Sequence, residues 1–332
     1  MPQGDTAAPE TRASGVSTGV RNPGDTNAEP CGVAVIDKPG SITSHDVVAR
    51  VRRLLGTSRV GHAGTLDPMA TGVLVVCVGA ATRIIEYLPA EPKVYDAAVT
   101  FGLETDTEDI TGTIVGRKDA SRLDARSVAG ALTAFEGPIM QTPPMVSAVR
   151  VGGRRLYELA RRGATVERQP RPVTVHRLEL LDFVSGVNPV ARIRVECSAG
   201  TYVRTLASEI GRRLACGGVL SELRRTRVGE FSIADAQPIE EAPKLMSVET
   251  AMRNRPLVEL DSQGWTDIAH GRSIDHSTLP ISFGAGQSAE PALSMEGQIA
   301  LASRSGEGYA IVRIAGGRLH PVKVMRLSGS RA

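Results

Sequence analysis

The spacing of apolar and polar residues predicts several strands along the chain. From Tyr95 to Phe101 every second residue is apolar, and residues 190–197 alternate in the same way. This period of two is typical of strands that bury one face and leave the other in water. Residues 73–78 are continuously apolar, which indicates a central strand covered on both faces. The apolar run at 31–36 predicts another buried strand, where the ordered part of the chain begins.

Helical periodicity is found between these strands. Ser44 is a suitable N-cap residue, and the apolar residues that follow it share one face of a predicted helix. A second helix is predicted around residues 124–136, ending at Gly137, because glycine is common just beyond a helix C-terminus. Residues 201–214 predict a third helix, and residues 82–88 a short one. The apolar face of the first helix comprises Val47, Val48, Val51, Leu54 and Leu55.

Strands and helices follow one another without a regular strand–helix–strand repeat. This order favours an α+β fold over a doubly wound parallel sheet. Residues 1–30 contain almost no large apolar side chain, so this N-terminal tail is predicted to be disordered. Residues 31–250 are predicted to form the main domain, and residues 251–328 a small β-rich module. The elements predicted within this module are a loop at 281–296 and strands at 298–303 and 308–314.

Composition excludes several classes of protein. The 332 residues are 41% hydrophobic, enough for one large domain or for one large and one small domain. No run of about 18 apolar residues occurs, so we expect no membrane span. The N-terminus lacks the basic and apolar regions of a signal peptide, which predicts a cytoplasmic protein. The four cysteines form no C-x-x-C pair and no nucleotide-binding motif occurs, so we expect neither a metal nor a cofactor.

Basic residues are clustered although the net charge is only +3. Arginine provides 34 of the 39 basic residues, and it favours bidentate phosphate contacts. A GC-rich genome would give the same bias, so the distribution must decide. Residues 150–177 hold eight arginines against two acids, and further clusters occur at 50–53 and 223–227. One cluster is typical of a solvated face, but three favour an RNA or DNA partner.

The stretch from Gly61 to Gly72, Gly-His-Ala-Gly-Thr-Leu-Asp-Pro-Met-Ala-Thr-Gly, is the most unusual part of the sequence. It is predicted to be a loop held by the strand that follows it, and loops on rigid scaffolds often carry active sites. It matches neither the dinucleotide fingerprint nor the P-loop. Asp67 before Pro68 is also typical of a simple turn, so composition alone leaves both interpretations open.

Three other segments offer candidate chemistry. Arg204, between a predicted strand and helix, can pair with a carboxylate and keep it ionised, or it can contact phosphate or solvent. Tyr95 is predicted to face inward, where core packing is the simplest explanation. The acidic residues 104–109 lack the pattern of a calcium loop, so a turn or solvated edge is the interpretation we favour. Lys38-Pro39-Gly40 is too short to indicate a function alone.

Taken together, these segments resemble bacterial tRNA pseudouridine synthase B, the family that modifies uridine 55 in the T-arm. The resemblance covers roughly residues 31–330. The motifs that carry it are Lys38-Pro39, Gly61–Gly72, Lys93-Val-Tyr95, Gly102-Leu-Glu-Thr-Asp106-Thr-Glu-Asp109, Val151-Gly-Gly-Arg-Arg155, Ser198-Ala-Gly-Thr-Tyr-Val-Arg204 and Leu223-Arg-Arg-Thr-Arg-Val-Gly229.

The resemblance implies an α+β catalytic domain on a mixed, mainly antiparallel sheet, followed by a C-terminal RNA-binding module of the PUA type. It implies that Asp67 is the nucleophile and that Arg204 pairs with it. Tyr95 would stack on the target base. The residues implied to bind substrate or RNA are His62, which helps to reshape the T-loop, Tyr202 and Leu223, which line the base pocket, and Lys38, Arg154 and Arg155.

The implied partner is the T-arm stem-loop of tRNA, clasped by a basic insert at about 138–177. We expect a monomer that needs no cofactor, no metal and no obligate protein partner. The chain also departs from the family: Ala199 replaces a polar residue that many relatives carry, and the tail has no family counterpart. Three alternatives remain, namely a guide-RNA-dependent pseudouridine synthase, a non-catalytic tRNA chaperone, and a hydrolase that uses Asp67 and His62.

Overall fold

The fold is taken from a computed structural model, which describes residues 29–147, 150–151, 153–156, 166–277, 279–282, 295–305 and 307–327. The predicted disordered tail, residues 1–30, lies outside the described residues except for its last two positions. No helix among the described residues is long and apolar enough to cross a membrane.

The described residues form strands, α-helices and short 3₁₀ segments. The strands are β1 Gly32–Lys38, β2 Val60–Ala63, β3 Thr71–Val78, β4 Lys93–Phe101, β5 Leu103–Thr105, β6 Ile114–Arg117, β7 Gly137–Gln141, β8 Arg150–Val151, β9 Arg154–Arg155, β10 Arg171–Val184, β11 Val190–Cys197, β12 Gly218–Val228, β13 Phe231–Ser232, β14 Leu257–Glu259, β15 Ile274–Asp275, β16 Ile281–Ser282, β17 Ile299–Arg304, β18 Gly308–Ala315 and β19 Arg318–Arg326. The helices are α1 Ser44–Leu55, α2 Ala125–Leu132, α3 Val203–Arg213, α4 Val248–Ala251 and α5 Ser262–Ala269, with 3₁₀ segments at Gly79–Tyr87, Thr133–Phe135 and Ile233–Asp235.

A mixed sheet forms the centre of the fold. Its strands lie in the order β1–β3–β12–β4–β11–β10–β7, with β2 beside β3 and β13 beside β12. Every pairing is antiparallel except the short one between β3 and β12. The prediction of an α+β fold on a mixed, mainly antiparallel sheet is therefore confirmed.

Strands β1 and β3 are buried on both faces. Ile36 and Val76 pack in the core beneath α1 and α3, whereas Val35 and Val75 belong to a second core on the opposite face. This explains why both strands are continuously apolar, as predicted for residues 73–78. Strand β4 is different, because its alternating residues, Tyr95 to Phe101, face only the first core.

The first helix begins one residue earlier than Ser44 suggests. Thr43 is the N-cap and forms a capping box with Asp46. The side chain of Ser44 is buried and binds elsewhere, so the predicted cap was wrong. Leu54, predicted to face inward, is exposed. Gly137, predicted as a helix C-cap, instead begins β7 with a positive φ of 90°.

The C-terminal residues form a second sheet, in the order β15–β19–β18–β17–β14–β16. The predicted strands at 298–303 and 308–314 correspond to β17 and β18. One face of this sheet contributes Leu301, Ile311 and Met325 to the core that also contains Val33 and Val35 of β1. A C-terminal β-rich region is thus present and packs on the back of the central sheet. Its PUA type and its boundary at residue 251 remain predictions, and residues 283–294 of the predicted loop lie outside the described residues.

The predicted basic insert at about 138–177 is described in part. It contains most of β7, the β8–β9 hairpin and the first half of β10. Arg161 and Arg162 lie outside the described residues. Arg154 and Arg155 form β9. The RNA contacts predicted for the insert remain predictions.

Close backbone contact between α3 and β12 gives a test of this packing. A Cβ atom on Gly211 would lie 2.2 Å from the backbone nitrogen of Gly218. We expect Gly211→Ala to lower the free energy of unfolding by about 1–3 kcal/mol, because the helix must move away from the strand. Urea unfolding at constant m-value measures the change.

Gly130 provides the matched control. It lies in α2 with open space where a Cβ would be placed. Gly130→Ala is expected to raise the free energy of unfolding by up to about 1 kcal/mol, because alanine favours helix. Equal effects of the two substitutions would contradict the packing described for α3 and β12.

Candidate active site

The loop that bears Asp67 comprises residues 64–70, between β2 and β3, at one end of the central sheet. Gly72 is opposite Arg225 in the parallel pairing of β3 with β12. A Cβ atom on Gly72 would lie 2.1 Å from the backbone oxygen of Arg225, and its φ is 99°. Only glycine fits where the loop returns to the sheet. The predicted loop on a rigid strand is confirmed for residues 64–70, but the predicted bounds were too wide, because residues 61–63 belong to β2 and residues 71–72 to β3.

Two buried side chains from the segment before the loop hold its second half. The hydroxyl of Ser44 accepts from the backbone N–H of Leu66 at 2.9 Å and lies 3.1 Å from its oxygen. The ammonium of Lys38 donates to the oxygens of Pro68 and Ala70, at 3.2 and 2.7 Å. The backbone on both sides of Asp67 is therefore fixed.

The position of Lys38 corrects a prediction. Lys38 is completely buried and also donates to the oxygen of Pro39 at 2.9 Å, so it does not lie on an RNA-facing surface. Burial lowers the pKa of its ammonium to about 8, although Asp67 raises it. Its described contacts place it as a support of the loop and not as an RNA-binding residue.

Asp67 faces a buried guanidinium at the start of α3. The Nε atom of Arg204 lies 2.9 Å from Oδ2 of Asp67, and its Nη2 donates to Oδ1 at 3.3 Å. The Arg204 side chain is 4% exposed, whereas that of Asp67 is 35% exposed. The structure thus brings these two predicted residues together, with one side of the carboxylate accessible.

Arg204 has further partners besides Asp67. Its guanidinium donates to the backbone oxygens of Thr107 and Val146, at 3.2 and 2.9 Å. Asp109 lies 3.5 Å from Nη1 and is itself buried. Asp109 accepts three hydrogen bonds from Thr107 and Thr111. The acidic run that we interpreted as a turn or solvated edge therefore supplies a second carboxylate to Arg204.

The environment of Asp67 opposes its ionisation overall. Burial raises the pKa of its carboxyl above the ordinary value, Arg204 offsets part of that shift, and Asp109 adds to it. The pairing with Arg204 therefore limits the effect of burial but does not cancel it. A carboxylate held in this way is poorly solvated, which favours reaction with an electrophile.

The predicted base-binding residues line the sheet beside the loop. Tyr95 is buried on β4, opposite Arg225 of β12, and Leu223 is opposite Ala97 in the same pairing. Tyr202 precedes α3, and the side chain of Gln141 binds both its N–H and its oxygen, at 2.7 and 3.0 Å. The role of these three residues in binding a base remains a prediction.

His62 lies on β2 at the start of the loop, half-buried. Its ring meets that of His45 edge to face, with centroids 5.5 Å apart. Burial lowers its pKa, and His45 and Arg225 add to the effect. Its Nδ1 is buried and has no hydrogen-bond partner among the described residues.

Most arginines of the 223–227 cluster do not form a free cationic surface. Arg225 is completely buried, so its predicted part in an RNA-facing patch is wrong. Arg224 lies 2.7 Å from a carboxylate oxygen of Asp37, and Arg227 lies 3.1 Å from one of Glu196. These carboxylates compensate the charge that the sequence pattern assigned to RNA.

No three His, Cys, Asp or Glu side chains within the described ranges are grouped so that they could hold a metal ion. The buried thiols are also poorly suited to metal binding, since burial raises the pKa of Cys77 to about 12 and that of Cys197 to about 11. Thiolates, not thiols, ligate metals.

Sequence comparisons identify the family of the chain. The family described as "TruB family pseudouridylate synthase (N terminal domain)" matches residues 52–203, and "tRNA pseudouridylate synthase B C-terminal domain" matches residues 204–255. The tRNA pseudouridine synthase B of Symbiobacterium thermophilum is 53% identical over 248 residues, which are 74% of this chain and 83% of that protein. The one from Mycobacterium ulcerans is 40% identical over 296 residues, 89% of this chain and 95% of that protein.

The chain belongs to the tRNA pseudouridine synthase B family. Among solved structures, a chain of a Cbf5–Nop10–Gar1 complex superposes with a TM-score of 0.62 at 25% identity, covering 89% of this chain and 84% of that one. A chain of an H/ACA RNP bound to a substrate RNA containing 2'-deoxyuridine gives 0.61 at 24% identity. Both likenesses support the pseudouridine synthase fold.

Sequence reasoning missed three residues of this synthase-family site. Asp109 lies in the acidic run that the sequence analysis noted. The threonines that alternate with the acids in this run were the signal that could have indicated its role. Ser44 was noticed only as a cap. Arg225 gave no signal, because a buried arginine and a solvated one look alike in sequence.

The raised pKa of Asp67 predicts how its replacement affects stability. The folded state binds the Asp67 proton more tightly than the unfolded state, so ionisation costs stability at pH values above the folded-state pKa. Below the ordinary pKa of 3.8 this cost is absent. We therefore expect Asp67→Asn to be at least as stable as the wild type at pH 7 and to lose any advantage towards pH 4. Urea unfolding at both pH values measures this.

Asp96→Asn is the control for this experiment. Asp96 is paired with Arg194 on the outer face of the sheet, and its side chain is 35% exposed. Its loss should change stability by less than about 1 kcal/mol. The explanation would be wrong if Asp67→Asn were destabilised at pH 7 but not at pH 4.

Proposed function

We propose that this protein isomerises uridine 55 in the T-arm of tRNA to pseudouridine, as a cytoplasmic monomer without a guide RNA or cofactor. The observation that carries the proposal is the partly accessible carboxylate of Asp67 beside buried Arg204, in a chain of the tRNA pseudouridine synthase B family. No residue pair elsewhere in the described ranges combines these features with the loop shared by the family.

The reaction breaks the N-glycosidic bond of the uridine, turns the uracil over and forms a carbon–carbon bond to the same sugar. Atoms and oxidation states balance within the one nucleotide, so no redox partner or energy source is required. Asp67 supplies the nucleophile or base. It can attack the sugar carbon, attack the base or remove a sugar proton, and each route starts from the ionised carboxylate.

Arg204 acts by keeping Asp67 ionised and aimed. Its two contacts with the carboxylate oxygens fix the orientation of that group. Since Thr107, Val146 and Asp109 hold the guanidinium in turn, substrate binding needs little rearrangement of this pair. Preorganisation of this kind reduces the cost of reaching the transition state.

Tyr95, Tyr202 and Leu223 form the site for the extruded base. Removing a base from the stack costs a few kcal/mol, and stacking on an aromatic ring returns about 1–3 kcal/mol. The ring of Tyr95, on β4 opposite Arg225 and beside the loop, is the surface on which we place the uracil. The half-buried ring of His62 is the contact that we assign to the reshaped T-loop.

Binding of the T-arm rests on shape and backbone contacts. Folded RNA is recognised mainly through its shape and its unstacked bases, and arginines supply affinity for phosphates. The basic insert at 138–177, with Arg154 and Arg155, is the part of the chain to which we assign this role. The relatives at 40% and 53% identity carry the name of the tRNA enzyme, which supports a stand-alone enzyme over a guide-dependent one.

The first test is conversion of an unmodified tRNA transcript by the purified protein alone, read by mapping pseudouridine at each position. We expect modification at the T-loop uridine. Asp67→Asn should abolish turnover and leave the tRNA dissociation constant within about tenfold, because the substitution removes the nucleophile and not the RNA contacts. Asp96→Asn, on the outer face of the sheet, should keep the wild-type rate.

Three other outcomes of this experiment would each contradict a different part of the proposal. Appreciable turnover by Asp67→Asn would show that the nucleophile is misassigned. Activity that required an added guide RNA would overturn the stand-alone enzyme. Tight tRNA binding by a wild type that never forms pseudouridine would favour the chaperone alternative.

The pH dependence of the rate gives a second test. The reactive form is ionised Asp67, so the rate rises as pH increases through the pKa of this group. Because burial raises that pKa above 3.8, the acid limb of the single-turnover rate should lie at higher pH than for an ordinary aspartate. Arg204→Lys, which weakens the bidentate contact, should move the limb to still higher pH. A limb at or below pH 3.8 would contradict the assignment, provided that circular dichroism shows folded protein.

A further inference from the structure

Arg225 of β12 is completely buried at the centre of the site. Its Nε donates to the oxygen of Val73 at 2.8 Å. Its two terminal nitrogens donate to the oxygens of Thr65 and Gly64, at 3.3 and 3.1 Å. One guanidinium therefore binds the loop before Asp67 and the strand to which the loop returns.

The backbone of Arg225 also connects the strand that follows the loop to its neighbour, β4. It lies opposite Gly72 of β3 on one side and opposite Tyr95 of β4 on the other. Burial raises the pKa of Tyr95, and the nearby charge of Arg225 partly offsets that rise. Arg225 thus binds the loop that bears the nucleophile and pairs through its backbone with the residue assigned to the base.

The surroundings of Arg225 contain no direct counter-ion. No carboxylate among the described residues lies within 4.0 Å of its guanidinium, in contrast to Arg224 and Arg227 beside it. A buried cation without a paired carboxylate is costly. Neutral side chains could fill a strand junction at lower cost, so the retained charge indicates a role beyond packing.

Arg225 and Lys38 bind different backbone oxygens of the loop. Lys38 holds the oxygens that follow Asp67, those of Pro68 and Ala70. Arg225 holds the oxygens that precede it, those of Gly64 and Thr65. The carboxylate therefore projects from a short segment whose two ends are fixed by separate buried cations.

We propose that Arg225 is a positioning residue for the isomerisation, which sets the loop before Asp67 and fixes the junction of β3, β12 and β4 at which Tyr95 lies. It acts through these two residues and touches neither the base nor the sugar. This inference rests on the function proposed above. It predicts that Arg225 matters for the chemical step far more than for tRNA binding.

The test compares Arg225→Met, a neutral side chain of similar length, with Arg225→Lys. Single-turnover rates are measured at saturating unmodified tRNA, and tRNA dissociation constants separately. We expect Arg225→Met to lower the rate by at least about tenfold, because small misplacements of reacting groups are costly, with binding changed less than about threefold. Arg225→Lys should recover part of the rate. Arg192→Gln, at an exposed ion pair with Glu222, is the control and should match the wild type.

A double-mutant cycle with Tyr95→Phe separates positioning from general stability. If Arg225 acts partly through Tyr95, Tyr95→Phe should cost less rate in the Arg225→Lys background than in the wild type. Additive losses would overturn the link to Tyr95. A folded Arg225→Met protein with the wild-type rate, or with an equal loss in binding and rate, would overturn the positioning role.

One readout does not depend on activity. With ¹³C-labelled tyrosine, the NMR titration of Tyr95 should show a higher pKa in Arg225→Met than in the wild type, because the substitution removes the charge that partly offsets the effect of burial. An unchanged Tyr95 titration would contradict the proximity of the Arg225 charge to Tyr95 even if tRNA were not the substrate. A wild type that is inactive on tRNA, with the Tyr95 shift present, would instead contradict the proposed function.

Discussion

The ion pair between Asp67 and Arg204 is the interaction on which the site depends. A guanidinium buried at the start of α3 must find partners, because an unpaired charge away from water is very costly. It finds them on Asp67 of the loop, on Asp109 of the acidic run and on the oxygens of Thr107 and Val146. Segments far apart in sequence are therefore held together by one side chain, and the carboxylate is aimed as a consequence.

The central sheet makes this arrangement rigid. Strands β1 and β3 are covered by α1 and α3 on one face and by the C-terminal sheet on the other. The loop joins β2 to β3, so its two ends are fixed by strands that cannot shift without disturbing two cores. Its backbone oxygens, which no strand satisfies, are bound by Lys38 and Arg225. Buried backbone groups need such partners, and here these partners carry positive charge.

The sequence predicted what depends on short-range pattern. Alternation located β4 and β11, continuous apolar residues located β3, and the glycine-rich stretch located the loop. Asp67, Arg204 and Tyr95 were found through motifs that resemble one family. Ser44, Lys38 and Arg225 were misjudged or missed, because their burial depends on carbonyl groups contributed by residues up to 161 positions away. Period and composition carry no information about such partners.

The contrast between the arginines of β12 shows where this limit lies. Arg224, Arg225 and Arg227 are nearly adjacent, and a charge pattern treats them alike. The sheet separates them: Arg224 and Arg227 pair with carboxylates of Asp37 and Glu196, while Arg225 is enclosed and meets carbonyl oxygens. A carbonyl neutralises no charge, so the charge of Arg225 persists inside the site. Burial lowers the pKa values of Lys38 and His62, and the charge of Arg225 adds to both shifts. Arg225 therefore affects the reaction through the loop and the strand that it holds.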